Sequence, residues 1–402
     1  MVRWSDGVAI RSGETKLLFD AIESDSTIPD LFITHAHFDH SKGFQFPAHK
    51  KRSTRETKEL YETETDHQIG NWEAIRLGRR LQLGNVEVEA HDAGHILGSV
   101  QFEIIAHDEN LVYASHLNFN DTLLTHAAEV APCDALVIEA AFPPTSQKLP
   151  PRESVVANAV KWVMGCVREH RVPALATETI GTAQELIRVF NTWTGLTVIV
   201  HPRIARTNQV YQNNGTALSY IDAGTEEAQS LIEEGKCVLI VPRRFDVTQY
   251  GDFRVAYATG WPTRAEKESG EVFLLSDQAD LDQLLMFVKE ARPKTVFTFR
   301  GGSGVLAELV SKKLGITGRA LSAETVRPKT TSTPIDEEAV KACENYIAGI
   351  VQVPNLTYDK RDLMSRALAE GFKIPFIEEA LNRMAKKNVL RYSQMTDGYS
   401  LP

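Results

Sequence analysis

Four short apolar runs in this 402-residue sequence stop at residues that bind metals or carry charge. That recurrence constrains the fold more than any single motif. Leu31-Phe32-Ile33 runs into Thr34-His35-Ala36-His37-Phe38-Asp39-His40, and Val86 to Ala90 leads to His91-Asp92-Ala93-Gly94-His95. Leu111 to Ala114 ends in Ser115-His116, and Ala135 to Ile138 ends in Glu139. Apolar runs this short, bounded by turn residues, read as buried strands. Strands of one sheet bring their ends together, so residues about 100 positions apart can share one site.

Imidazole and carboxylate are the ligands that zinc and similar divalent ions prefer. His35 and His37 share a face of an extended segment, while a turn can aim Asp39 and His40 at a second point. The pattern suits one metal site or two adjacent ones. Gly94 and Gly98 let the backbone turn tightly around His95, so that its ring can face the first loop. Asp20, at the end of a strand from Lys16 to Phe19, is close enough in sequence to buttress that loop by hydrogen bonds.

A net charge of −9 gives no global attraction to nucleic acid, so a polyanion would need local basic patches or metal to hold it. The basic cluster Lys50, Lys51, Arg52 and Arg55 is open to two readings, a solvated face or phosphate contacts. Cys133, Cys166, Cys237 and Cys343 form no Cys-x-x-Cys pair and read as reduced, structural residues of a cytoplasmic protein. No apolar run approaches the length of a membrane span, and none marks a secretory leader.

Short strands dominate to about residue 150, with one polar helical stretch from Ser53 to Glu64. From about Pro150 helix and strand alternate, the pattern of parallel α/β units in a second layered domain. Glu271 to Gly315 resumes the first style. Arg327 to Pro334 reads as a linker. Beyond it come three amphipathic helices, near 336–351, 360–370 and 375–387, and a small hairpin turning at Asp397-Gly398. Helices followed by a hairpin suggest a winged-helix module, for nucleic acid or for protein contact and dimerisation.

Thr34-His-Ala-His-Phe-Asp-His40 together with Gly94-His95-Ile-Leu-Gly-Ser99 resembles the metallo-β-lactamase fold. Glu139, Gly181-Thr-Ala-Gln-Glu185 and Ser276-Asp-Gln-Ala-Asp280 ahead of Arg300-Gly301 resemble its β-CASP nuclease branch, which includes ribonuclease J, the polyadenylation specificity factor nuclease and archaeal mRNA 3′-end processing-type exonucleases. The resemblance implies an α/β architecture over about residues 1–325. Residues 1–150 and 265–325 would form an αββα metallo-β-lactamase sandwich and 151–264 an inserted β-CASP domain. A linker at 326–334 and a winged-helix-like domain at 335–402 would follow. It also implies a hydrolase that cleaves phosphodiester bonds of RNA or DNA with zinc, manganese being the alternative, in RNA processing or DNA repair. His35, His37 and His95 would hold one ion. Asp39 and His40 would hold a second, with Asp39 also orienting water, and Glu139 would be the family's acidic residue beside the general acid.

Three positions depart from that pattern. His116 stands where a bridging Asp is expected, and it cannot bridge two ions as a carboxylate does. Gln278 replaces the His expected to protonate the leaving group, and an amide delivers no proton at neutral pH. Arg300 replaces a His ligand of the second ion and puts a fixed positive charge there. The expectation is therefore one well-formed ion, held by His35, His37, His95 and His116, with Arg300 clamping a phosphate. Gln278 and Ser276 are candidates for substrate contact. Two functions stay open: a nuclease with an altered or single-metal site, acting on RNA or single-stranded DNA, and a catalytically silent homologue. The silent homologue would bind nucleic acid, an active nuclease subunit or a second copy through its C-terminal module.

Overall fold

The computed structural model describes residues 2–4, 6–107, 109–142, 148–263, 266–267, 270–321, 337–352, 358–359, 363–364, 366–367, 370, 372, 374–393 and 398–401. The expected linker at 326–334, most of the helix at 360–370 and the Asp397 turn position fall outside these residues.

A first sheet orders the strands Val2–Trp4, Val8–Ser12, Thr15–Phe19, Asp30–Phe32, Lys50–Ser53 and Trp72–Ala74 as they occur in the chain. Its first three strands are antiparallel and the rest join in parallel. A second sheet runs Thr317–Ala320, Thr295–Phe299, Ala135–Glu139, Glu109–Ala114, Val100–Ala106, Val86–Asp92 and Leu81–Leu83. Alternate residues of both sheets face each other, and Phe19 and Phe32 of the first pack with Phe102, Tyr113 and Phe299 of the second. Alternation of this kind is what lets two sheets share one core. The outer face of the first sheet is covered by Phe44 and Tyr61. That of the second is covered by Leu284, Phe287 and Val288 of the Leu281–Ala291 helix and by Leu306 and Val310. The result is a helix-sheet-sheet-helix sandwich.

Between Glu139 and Thr295 the chain builds a third sheet, ordered Ile221–Asp222, Thr197–Val200, Cys237–Pro242, Val172–Thr177, Phe253–Ala258 and Glu271–Phe273. All its pairings are parallel. Apolar runs such as Cys237 to Val241 are buried throughout, as parallel strands flanked by layers on both faces must be. The helices Arg152–Arg168, Thr182–Trp193 and Pro202–Asn213 supply one covering layer. Ala36, Leu60 and Ile96 of the sandwich pack into the same cluster.

Two sequence expectations change. Lys50–Ser53 is a strand, with Lys51 and Arg52 each only 3% exposed. Lys50 pairs with Glu73, Arg52 with Asp30 and Glu73, and Arg55 with Glu59, while Lys51 Nζ donates to Gly70 O at 2.8 Å. Lys51 and Arg52 are therefore spent inside the fold, while Lys50 and Arg55 stay on the surface in ion pairs, so only half of the cluster is a solvated face. The Glu271–Phe273 strand pairs with Phe253–Ala258, so this stretch still belongs to the third sheet and the return to the sandwich comes with the Leu281–Ala291 helix.

At the C-terminus the helices Glu337–Ile350 and Ile374–Lys386 pack through Val340, Cys343, Ile347, Ile377 and Leu381. Arg391–Ser393 and Gly398–Ser400 pair antiparallel, and Tyr358–Asp359 adds a third strand. No helix among the described residues is long and apolar enough to cross a membrane.

Candidate metal centre

The Asp30–Phe32 strand carries Thr34 to His40 to the end of the sandwich. Thr34 O accepts from Val100 N at 2.9 Å, which ties this loop to the second sheet. His35 is buried, and its Nδ1 lies 2.9 Å from Thr34 Oγ1. That hydroxyl donates to Asp20 Oδ2 at 2.7 Å, so it accepts from His35 Nδ1–H. The tautomer follows: Nε2 is the unprotonated nitrogen, and it is buried with no hydrogen-bond partner.

His95 Nδ1–H donates to Asp277 O at 2.8 Å, and His37 Nε2 sits 3.5 Å from Ile180 O. The remaining nitrogens, His95 Nε2 and His37 Nδ1, face each other at 3.0 Å. Two lone pairs turned on one point suit a shared cation. His116 adds a buried Nδ1 with no partner, while its Nε2 is 3.7 Å from Glu139 Oε1. One candidate ligand atom from each of His35, His37, His95 and His116 lies within 4.8 Å of the others. Burial, then the other imidazoles, pushes His35 and His116 well below the usual histidine range. Burial pushes His95 down to about 4, with Asp277 opposing. Four converging imidazoles, two of them with a buried nitrogen that has no partner, fit a zinc-like ion.

On the other side of His116 the arrangement differs. His40 Nδ1 is 3.1 Å from Asp20 Oδ2, and its Nε2 is 3.1 Å from Asp39 Oδ2 and 3.6 Å from Glu139 Oε2. Burial opposes a charge on His40, but Glu139, Asp20 and Asp39 outweigh it and push the pKa up to about 10. Against burial, His40 and Arg300 hold Asp39 well below the usual carboxylate range. Arg300 Nη1 reaches His40 Nε2 at 2.9 Å and Glu139 Oε1 at 3.5 Å, and Arg300 Nη2 donates to Asp39 O at 2.9 Å. A carboxylate-rich corner is thus already neutralised by protein cations.

Local backbone sets this up. Arg300 has φ +53°, an unusual left-handed conformation for a non-glycine residue. It precedes Gly301, where a Cβ would come 2.4 Å from Ala140 O. The tight turn against the strand end aims the guanidinium inward, and the Trp4 ring lies 5.8 Å from its carbon, within cation–π reach.

The structure therefore brings together His35, His37, Asp39, His40, His95, His116, Glu139 and Arg300, with Asp20 beneath them. Asp20 accepts from Thr34 N, Thr34 Oγ1 and Tyr113 OH at 2.9, 2.7 and 3.1 Å. Ser276 stands beside Gln278, the other residue singled out for substrate contact. It is buried, and its hydroxyl bonds both N and O of Gln278 at 3.0 Å, closing a turn. Gln278 is half-buried beside it. Asp280 caps the Leu281–Ala291 helix by accepting from Gln283 N.

Sequence reasoning left out Asp277, whose carbonyl orients His95 and whose carboxylate accepts from Thr182 Oγ1 at 3.3 Å. Ser115 was also missed; it donates to Glu139 Oε2 at 2.8 Å and lies 3.1 Å from His40 Nδ1. Both sit next to residues that had been singled out, and adjacency was the only signal available.

Fold and site together define an α/β sandwich with a cluster of four histidines, at its strand ends, that could hold a metal ion. Among curated proteins, the chain is 25% identical to a probable DNA ligase of Opitutus terrae over 69% of its length. It is 21% identical to an RNase J-like protein of Methanocaldococcus jannaschii over 52%, and 25% identical to cleavage and polyadenylation specificity factor subunit 3 of Dictyostelium discoideum over 43%. The aligned regions span 28%, 54% and 26% of those relatives. These relatives point to the metallo-β-lactamase/β-CASP nuclease family. No family model matches the sequence. A crystal structure of a protein of unknown function from Enterococcus faecalis V583 shares the fold, with a TM-score of 0.54, 12% identity, and coverage of 74% of this chain and 92% of that one.

Proposed function

We propose that the chain is a metal-dependent hydrolase of nucleic-acid phosphodiesters, RNA or single-stranded DNA, built on a single zinc-like ion. The observation that carries this reading is the convergence of four histidine nitrogens, two of them buried without a partner. Residues 1–150 and 265–325 act as the metallo-β-lactamase domain, with the Glu271–Phe273 strand lent to the neighbouring sheet, and 151–264 as the β-CASP insertion. The linker is 326–334, and 335–402 is a winged-helix-like module for a partner or a second copy.

An ion held by His35, His37, His95 and His116 would lower the pKa of a bound water and offset phosphoryl charge. Thr34 and Asp277 fix the tautomers that present lone pairs. Asp39, with a side chain 63% exposed at the mouth, orients water. Arg300 supplies at the second position the positive charge that the scissile phosphate needs, and Gln278 offers an amide to the substrate. Labelled single-stranded RNA and DNA test this. Metal-dependent cleavage abolished by His37→Ala and Asp39→Ala supports it, and activity unchanged in both variants rejects it.

One observation favours a silent homologue instead. Asp39, His40 and Glu139 all contact Arg300, which leaves no carboxylate free to hold a second ion. Absence of cleavage by a zinc-loaded protein that still binds oligonucleotides would select that reading.

A further inference from the structure

We propose that Phe38 is a nucleobase-stacking residue at the mouth of the metal centre, an inference that rests on the nucleic-acid reading above. Phe38 opens the four-residue helix Phe38–Ser41, in which His40 and Ser41 are fully buried. With successive side chains turned by about 100°, Phe38 and Asp39 point outward. Phe38 is 62% exposed, the most exposed large apolar side chain among the described residues. An apolar ring at an outward position breaks the pattern that the rest of this loop obeys. It does so between two candidate site residues.

The ring is presented by a rigid backbone. On one side His37 is held against Ile180 O and His95; on the other, Asp39 O is held by Arg300. The backbone that carries the ring does not have to be ordered when a ligand arrives, which favours binding. Its immediate neighbours, His37 and Asp39, belong to the groups that could hold a metal ion, and a flat apolar face beside the proposed phosphate-binding centre matches one unstacked nucleotide. Stacking of this kind tolerates any sequence because every base has a π-face.

The test is fluorescence anisotropy with the zinc-loaded full chain and phosphorothioate single strands of about 12 nucleotides, with bases or fully abasic. Wild type is expected to prefer the base-bearing strand by about tenfold, within the range for one stacked base. Phe38→Ala and Phe38→Leu should lose that preference with zinc content unchanged, and Phe38→Trp should keep it. Preference retained in Phe38→Ala overturns the inference alone, as does its loss in Phe38→Trp. If wild type binds neither strand, the nucleic-acid reading fails and the inference falls with it.

Discussion

Arg300 places a guanidinium nitrogen 2.9 Å from His40 Nε2 and so occupies the corner that Asp39, His40 and Glu139 enclose. A guanidinium is charged at every accessible pH and cannot ligate a metal. The full chain should therefore bind about one equivalent of zinc. Arg300→His removes the fixed charge and restores a ligand, and it should raise the content toward two. Native mass spectrometry or metal analysis reads this directly; two ions in the wild type would show that Arg300 swings away.

Asp20 is expected to matter for both stability and metal affinity. It is buried and accepts from two Thr34 groups and Tyr113, and it lies 3.1 Å from His40 Nδ1. Asp20→Ala strands those donors, at a cost of about 3 kcal/mol in denaturant unfolding. Because Thr34 then no longer fixes the His35 tautomer, zinc affinity should also fall by about 10- to 100-fold. Equal zinc affinity in the variant would show that the Thr34 link does not set the tautomer.

Gly181 is a position where only glycine fits. Its φ is +94°, and a Cβ would lie 2.6 Å from Ile96 Cγ2 and 2.7 Å from Asp277 Oδ2. Gly181→Ala should cost about 2–3 kcal/mol from backbone strain and overpacking. Displacing Asp277 also loosens His95. Thermal unfolding and zinc affinity, measured together, should both decline.

Acid stability should depend on the Arg243–Glu266 pair. Arg243 Nε and Nη2 donate to Glu266 at 2.6 and 2.8 Å, and these bonds hold its pKa at about 2 against an ordinary 4.5. A depressed carboxylate pKa stabilises the fold above the unfolded value, and the gain is lost as pH falls through the folded one. The loss should run from about pH 4.5 down to about 2 and amount to about 1–2 kcal/mol. Glu266→Gln should flatten that part of the melting-temperature profile.

All four cysteines are buried and unpaired. Burial pushes Cys133 and Cys237 up to about 12 and Cys343 to about 11. Thiol reagents attack the thiolate, so the native protein should react slowly at neutral pH and titrate four thiols once unfolded. Fast labelling of the native chain would contradict the burial.

The linear order of ligand-type residues was legible because strands that end in one sheet end in one place. The Thr34–His40 and Gly94–Ser99 motifs needed no tertiary information to be recognised, since their ligand types and turn glycines are local. Within the basic cluster at 50–55, the burial of Lys51 and Arg52 was not legible because charge runs carry no record of their partners; Asp30 and Glu73 come from other strands. The turn that Ser276 closes was not legible for a related reason. A hydroxyl two residues from a backbone N–H can close a turn as readily as it can meet a substrate.

The sequence by itself determined the inventory of ligand-type residues, including the arginine guanidinium at position 300, and the alternation of elements that builds the sandwich and its parallel third sheet. Only the tertiary structure decided which histidine nitrogens are free and where that guanidinium rests. Tautomers are set by Thr34 and Asp277, and the latter is 182 residues from the ring that it orients. Arg300 meets His40 across 260 residues through a left-handed turn packed on Ala140. Pattern and propensity act along the chain, whereas a lone pair or an ion pair is fixed only when distant strand ends are brought together.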